Sequence, residues 1–206
     1  RTMYSGYPYD SVIYARQHAA LTADIEACAW AYALTGGTRF AEHAREALVG
    51  YGERYSAYPH HSASQGKRTD PDSPSGAHVF EQTLNEAAWM QSLATAYDLI
   101  RLSAILSPQD HTTIRTGLLR PVVDNLARHR AGRSNWQTFH NAALLEAGVL
   151  LEDDCLITAA LSDPENGFHY QMAASVLPGG MWYENSWSYH FYTLQAVLRT
   201  VETARR

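Results

Sequence analysis

Along the first third of the chain, apolar residues recur at intervals of three and four, the spacing that places side chains on one face of a helix. From Val12 to Leu34 the repeat runs through Ala20, Ala23, Ala27, Trp30 and Leu34. Gly36 and Gly37 stop it, because glycine takes the left-handed cap conformation cheaply. A second stripe follows at once, made of Phe40, Ala44, Leu48, Tyr51 and Tyr55. Helices joined by so short a link pair as an antiparallel hairpin. A third stripe, Trp89, Leu93, Ala96 and Ile100, predicts a long helix from about His78 to Leu106. Ser107 then opens another as N-cap, with Pro108 in its first turn and Asp110 reaching back in a capping box. Pro121 is expected to break or kink that helix. Ser134 and Gln137 carry the same capping signature ahead of NAALLEAGVLL. Short helices are predicted around Cys155–Ala160 and Phe168–Val176, and a last one from Trp187 to Arg205. No alternating stretch is long enough for a convincing strand. The pattern predicts one all-α domain over residues 1–206, built from successive antiparallel hairpins.

One interruption is long. Residues 56–77, SAYPHHSASQGKRTDPDSPSGA, are rich in Ser, Pro, Gly and Asp. Loops of this length are surface connections or functional lids. His60, His61, Lys67 and Arg68 make this one a candidate gate over a substrate.

Composition narrows the function. With 206 residues, 46% of them hydrophobic, the chain can bury a sizeable core. A net charge of -5 gives no basic footprint for nucleic acid or an anionic membrane surface. If the ligand is acidic, the field that receives it must be local. Cys28 and Cys155 form neither a disulfide framework nor a metal-ligand spacing, and their Ala/Leu-rich contexts predict buried free thiols. No apolar run approaches the ~18–20 residues of a membrane span. The opening RTMYSGYPYD lacks an initiator Met, so the chain is expected to be a piece of a longer one.

Three stretches carry chemistry. In HVFEQTLNEAAWM, Gln82 and Glu86 are four apart on the face of Trp89 and Leu93. They are either a satisfied buried pair or an amide and carboxylate at one end of a cleft, while His78 and Glu81 read as solvated. In SNWQTFHNAALLEAG, Asn135, Trp136, His140 and Asn141 crowd a helix start behind Arg133, where backbone N–H groups receive anions. The plainer reading has Gln137 capping, Trp136 filling core and His140 satisfied inside. In GGMWYENSWSYHFY, Glu184 precedes Trp187, Tyr189, His190 and Tyr192. Tyr189 and His190 are consecutive, so they point to faces about 100° apart. One can face a cleft while the other supports it. Trp182 and Phe191 read as structural rings.

LPGGMWYENSWSYHFYTLQA resembles the sugar-cleft motif of the heparinase II/III and alginate lyase families: a Gly-rich turn, a Glu, then a Tyr-His pair five and six residues later, here Glu184, Tyr189 and His190. SNWQTFHNAALLEAG resembles the helix on which those enzymes carry an Asn that neutralises a uronate carboxylate, and Asn135 falls on that position. Where a His follows directly in many members, Trp136 stands here, which makes His140, one turn on, the alternative. AYALTGGTRFAEHA is similar to the families' helical domain.

The resemblance implies part of an incomplete (α/α) toroid of helical hairpins, followed in longer relatives by a β-sandwich domain absent from this chain. It implies no cofactor within the chain, while segments outside it supply a further catalytic His and a structural metal. The implied reaction is β-elimination of a 4-linked uronate from an alginate- or heparan-type polysaccharide, a substrate class that favours a secreted or periplasmic setting. Asn135, with His140 or Asn141, would neutralise the carboxylate. Tyr189 would serve as base, acid or both. Trp136, Trp182 and Trp187 would be stacking platforms, with Gln82, Glu86, Glu184, His190, Tyr192 and Arg133 as further substrate contacts. Two other readings stay open: a toroid glycoside hydrolase pairing Glu86 with Glu184 (or Glu81), and a helical carbohydrate-binding domain without catalysis. The isolated chain is expected to fold as a helical body with little or no lyase activity.

Overall fold

The computed structural model describes residues 4–6, 9–64, 67–69 and 73–205, with backbone alone at 63, 64 and 67–69. Helix α1 (Tyr9–Thr35) stops at Gly36, whose φ of +71° lets its N–H reach Tyr32 O at 2.7 Å. After this turn, α2 (Thr38–Arg54) folds back on α1 and runs into a 3-10 turn, Tyr55–Ala57. A small antiparallel hairpin, β1 (Ser62–Ser64) and β2 (Lys67–Thr69), occupies the long interruption in place of the predicted loop. A His61–Ala77 bridge closes its base. The side chains of Lys67 and Arg68, the candidate gate cations, lie outside the described set.

Helices α3 (Thr83–Ile100), α6 (Asn135–Leu151) and α9 (Trp187–Ala204) continue the layer that α1 begins: α1 packs on α3, α3 on α6, and α6 on α9. Their common direction follows from Arg199 in the second half of α9. It donates to Thr95 of α3 at 2.5 Å and pairs with Glu26 of α1 at 3.4 Å and Glu146 of α6 at 3.7 Å. Each partner also lies in the second half of its helix, so the four run in parallel and their N-termini share one end. A second layer holds α2, α4 (Pro108–Ile114) with a π turn (Arg115–Leu119) and α5 (Arg120–Arg128), and α7 (Asp154–Ser162). Helix α8 (Phe168–Ser175) leads into the turn before α9. This is an all-α layering of helical hairpins.

Local signals set several boundaries. Ser107 and Asp110 form the full capping box, and Asp110 also takes a two-pronged bond from Arg45 at 2.8 Å, tying α4 to α2. The stripes of α2 and α3 are buried, Phe40 only partly.

Other expectations are corrected. The α1 stripe is exposed, with Trp30 at 46% and Leu34 at 80%, and Thr22, Ile25 and Ala29 are buried instead. An Ala-rich helix has small apolar residues on most of its faces, so periodicity could not choose the one that packs. The predicted 78–106 helix shortens to Thr83–Ile100 because the Glu86 carboxylate gathers the backbone N–H groups of His78, Val79 and Phe80 at 3.4, 2.7 and 3.3 Å. That holds 78–80 in a turn, and Gln82 is extended at φ −143°, ψ 136°. Pro121 was expected to break or kink its helix; the chain stays helical through it, with a π turn on its N-terminal side. The π turn just before it loosens the ladder where a proline ring would meet the carbonyl four residues back. Gly117 in that turn lies against Gly52 of α2 so closely that a Cβ would sit 2.2 Å from the Gly52 carbonyl. Gln137 completes only half a capping box, since its Oε1 accepts from Ala131 N at 2.9 Å. Cys155 is exposed and Cys28 half-buried. Among the described residues, no helix is long and apolar enough to cross a membrane, and no three His, Cys, Asp or Glu cluster as metal ligands.

Candidate functional site

Asn135 is the first residue of α6, behind the Ser134 N-cap, and only 3% of it is exposed. Its Nδ2 donates to Glu184 Oε1 at 3.4 Å. An ionised carboxylate only accepts, so Glu184 dictates which way the Asn135 amide faces. The Asn135 Oδ1 is left buried without a partner.

Glu184 sits in the turn between α8 and α9. A Val176–Trp182 bridge closes that turn, and Leu177 N donates to Met181 O at 2.8 Å. Gly180 at φ +82° makes the reversal, and Asn185 at φ +53° redirects the chain into α9. Trp182 is buried and acts as a hub. Its indole N–H donates to Glu184 Oε2 at 2.6 Å, and its backbone N–H donates to His190 Nδ1 at 3.2 Å. Because Nδ1 accepts, neutral His190 carries its proton on Nε2. Tyr183 pins the turn from the other side: its OH donates to Arg133 O at 2.6 Å while the Arg133 guanidinium lies 3.8 Å over its ring. Arg133, Asn135, Glu184 and His190 are therefore brought together through Trp182 and Tyr183.

The first turns of α9 are open to solvent. Trp187 is 67% exposed, Phe191 57%, and Tyr189 48%, its hydroxyl without a hydrogen-bond partner among the described residues. Trp187 and Phe191 stack at 5.9 Å. Phe191 was expected among structural rings and lies at the surface instead. Tyr192 points inward and stacks on Phe139 of α6 at 4.5 Å, and burial raises its phenol pKa.

The remaining predicted residues lie elsewhere. His140 is fully buried, neither ring nitrogen has a partner, and burial together with neighbouring His129 pushes its pKa down to about 3. Asn141 accepts from Gln137 at 2.9 Å and donates to Asn166 O at 2.7 Å, so it fastens the α7–α8 link. Glu86 is fully buried; besides the 78–80 backbone it accepts a hydrogen bond from Tyr55, whose phenol pKa burial and Glu86 drive well up. Trp136 is half-buried, edge-on to His129 at 5.4 Å. Thr83 bonds His129 at 2.8 Å, which brings the start of α3, with half-buried Gln82, beside the start of α6. Trp182 was expected as a structural ring and also as a stacking platform; it is buried, which leaves no open face for a sugar, and sequence reasoning missed it as the connector, for which the WxE spacing of Trp182 and Glu184 was the available signal.

An all-α layering of helical hairpins, with an amide, an imidazole and open aromatic rings at the shared N-terminal end, defines the class of this molecule. The family model for alginate lyase matches residues 10–206, and the chain belongs to that family. An alginate lyase of Stenotrophomonas maltophilia (strain K279a) is 29% identical over 177 residues, which covers 81% of this chain and 22% of the relative. The chain thus spans about a fifth of that relative's length.

Proposed function

We propose that this domain forms the cleft of a polysaccharide lyase that cuts a 4-linked uronate polymer, alginate foremost, by β-elimination. The observation that carries the reading is the Trp182–Glu184 hub, which holds the Asn135 amide and the His190 imidazole in set orientations, with Tyr189, one residue before His190, open to solvent. Elimination needs the carboxylate neutralised so that the C5 proton becomes acidic, a base for that proton, and an acid for the departing O4. One Nδ2 hydrogen of Asn135 goes to Glu184, and the other is available to the substrate carboxylate. The Nε2–H of His190 is a second donor. Tyr189 is the proton carrier in a concerted relay: the C5 proton passes to its phenolic oxygen, the C4–O4 bond breaks as the C4–C5 double bond forms, and its own O–H proton passes to the departing O4. Trp187 offers the exposed platform for a sugar face.

The hydrolase reading is not favoured, because Glu86 is enclosed and spends its carboxylate on Tyr55 and the 78–80 backbone. The test is product analysis with the intact enzyme over alginate, heparan-type and hyaluronan-type polymers. Ultraviolet absorbance from a C4–C5 unsaturated uronate, rising with new reducing ends, is the expected result. Reducing ends without absorbance would make it a hydrolase. Binding with neither would make it a carbohydrate-binding domain.

A further inference from the structure

We propose that Arg133 selects for polymers in which uronates stand next to one another, by holding the carboxylate of the sugar adjacent to the one on Asn135. This selectivity belongs to the lyase reading above and rests on it. Arg133 is exposed, yet its head is fixed: the guanidinium lies 3.8 Å over the Tyr183 ring. At that distance its flat face meets the ring, which leaves the in-plane N–H groups free to fork onto a carboxylate. Tyr183 holds the backbone of the same residue too, since its OH donates to Arg133 O at 2.6 Å. Its own N–H donates to Ser175 O at 2.9 Å. One ring thus fixes both ends of Arg133 to the turn before α9.

Arg133 and Asn135 are anchored as a pair. Consecutive residues of the turn receive them, Tyr183 taking Arg133 and Glu184 taking Asn135. Ser134 between them is extended, at φ −164° and ψ 161°, so their Cα atoms stand about 7 Å apart. That is close to the step from one ring to the next along a 4-linked chain. The Arg133 charge is also unspent. Glu184 gives Oε1 to Asn135 and Oε2 to the Trp182 indole, whereas Arg130 pairs with Asp163 and Glu165 at 3.0 and 3.6 Å. Among the described residues Arg133 has its Tyr183 contacts and no ion pair. A planar charged fork fits a carboxylate in two-pronged fashion. A polyuronate offers one on every ring. In an alternating polymer of uronate and N-acetylhexosamine, the neighbouring ring offers hydroxymethyl and acetamide groups instead, and the Arg133 charge goes unmatched.

The test compares kcat/KM of the intact enzyme on polymannuronate and on the unsulfated alternating polymer of glucuronate and N-acetylglucosamine. The wild type should favour polymannuronate. In Arg133→Gln the ratio of the two should fall about 10-fold or more, mainly through KM on polymannuronate. Arg133→Lys keeps the charge but loses the planar fork, and its ratio should lie between. A purely structural clasp would behave differently: releasing the turn would loosen Glu184 and Asn135 as well and cut turnover on both polymers alike. Equal loss on both polymers, a wild-type ratio in Arg133→Gln, or wild-type preference for the alternating polymer would each overturn the proposal. If neither polymer yields unsaturated product, the lyase reading fails, and titration calorimetry with trimannuronate and its carboxyl-reduced form still decides the role of Arg133. Preference for the acidic trimer should then fall about 10-fold in Arg133→Gln. No such preference in the wild type, or the same preference in the variant, would overturn the proposal.

Discussion

The backbone N–H of Trp182 donates to Nδ1 of His190 at 3.2 Å, and the indole of the same residue donates to Glu184 at 2.6 Å. One residue thus sets the tautomer of an imidazole through its backbone N–H and, through its indole and Glu184, the orientation of the Asn135 amide. Trp182→Phe keeps the ring packing and the backbone bond but removes the indole donor, freeing Glu184 and then Asn135. We expect kcat to fall on the order of 10- to 100-fold with KM little changed. Steady-state kinetics on alginate checks it; wild-type kcat would mean that the hub does not orient the centre.

Tyr189→Phe deletes only a phenolic oxygen on a half-exposed ring, with no hydrogen-bond partner among the described residues. Thermal unfolding should be unchanged, while turnover drops by about 10²- to 10⁴-fold, the usual worth of a positioned proton carrier. Activity within a few-fold of wild type would remove Tyr189 from the mechanism.

Asn135→Ala should lower kcat more than it raises KM, because carboxylate neutralisation matters most as negative charge develops toward the enediolate. A rise in KM alone would make Asn135 a positioning residue for bound substrate.

His140 predicts a pH effect on stability. Burial first, then His129, depresses its pKa from 6.5 to about 3. Between those values the unfolded chain binds a proton that the folded chain refuses. The stability contribution is therefore complete above about pH 6.5 and is lost as pH falls toward 3, by up to about 1.4 kcal/mol per pH unit. His140→Leu should flatten this slope in denaturant unfolding at pH 4.5 and 7.5 without abolishing turnover. Loss of turnover in a folded His140→Leu protein would return His140 to the catalytic machinery.

Gly117→Ala would place a Cβ 2.2 Å from the Gly52 carbonyl and force α2 and the π turn apart. A loss of about 1–3 kcal/mol or more is expected from such overpacking. Gly179→Ala, whose Cβ would meet nothing within 4 Å, is the control and should unfold like wild type. Equal melting of both variants would mean that the close crossing is not needed.

The features legible in the residues alone depend on partners a few positions away. Gly36 stops α1 through its own φ, and Ser107 caps α4 through Asp110, three residues on. The α2 stripe was readable because the other faces of that helix are polar enough to leave one choice, whereas α3 is buried on most of its faces, so the stripe read there is only part of what packs. Tyr189 and His190 had to diverge because they are neighbours on a helix. Only the tertiary structure decided the rest, because the partners come from distant parts of the chain. Glu86 shortens α3 by holding the 78–80 backbone and bonding Tyr55. The exposed face of α1 depends on which side α3 occupies, a choice that an alanine-rich repeat leaves open. His140 is shut inside and His190 is left at the rim, though both are histidines near helix starts. Burial is set by which helices pack against each face, and the order of residues along one helix does not contain it.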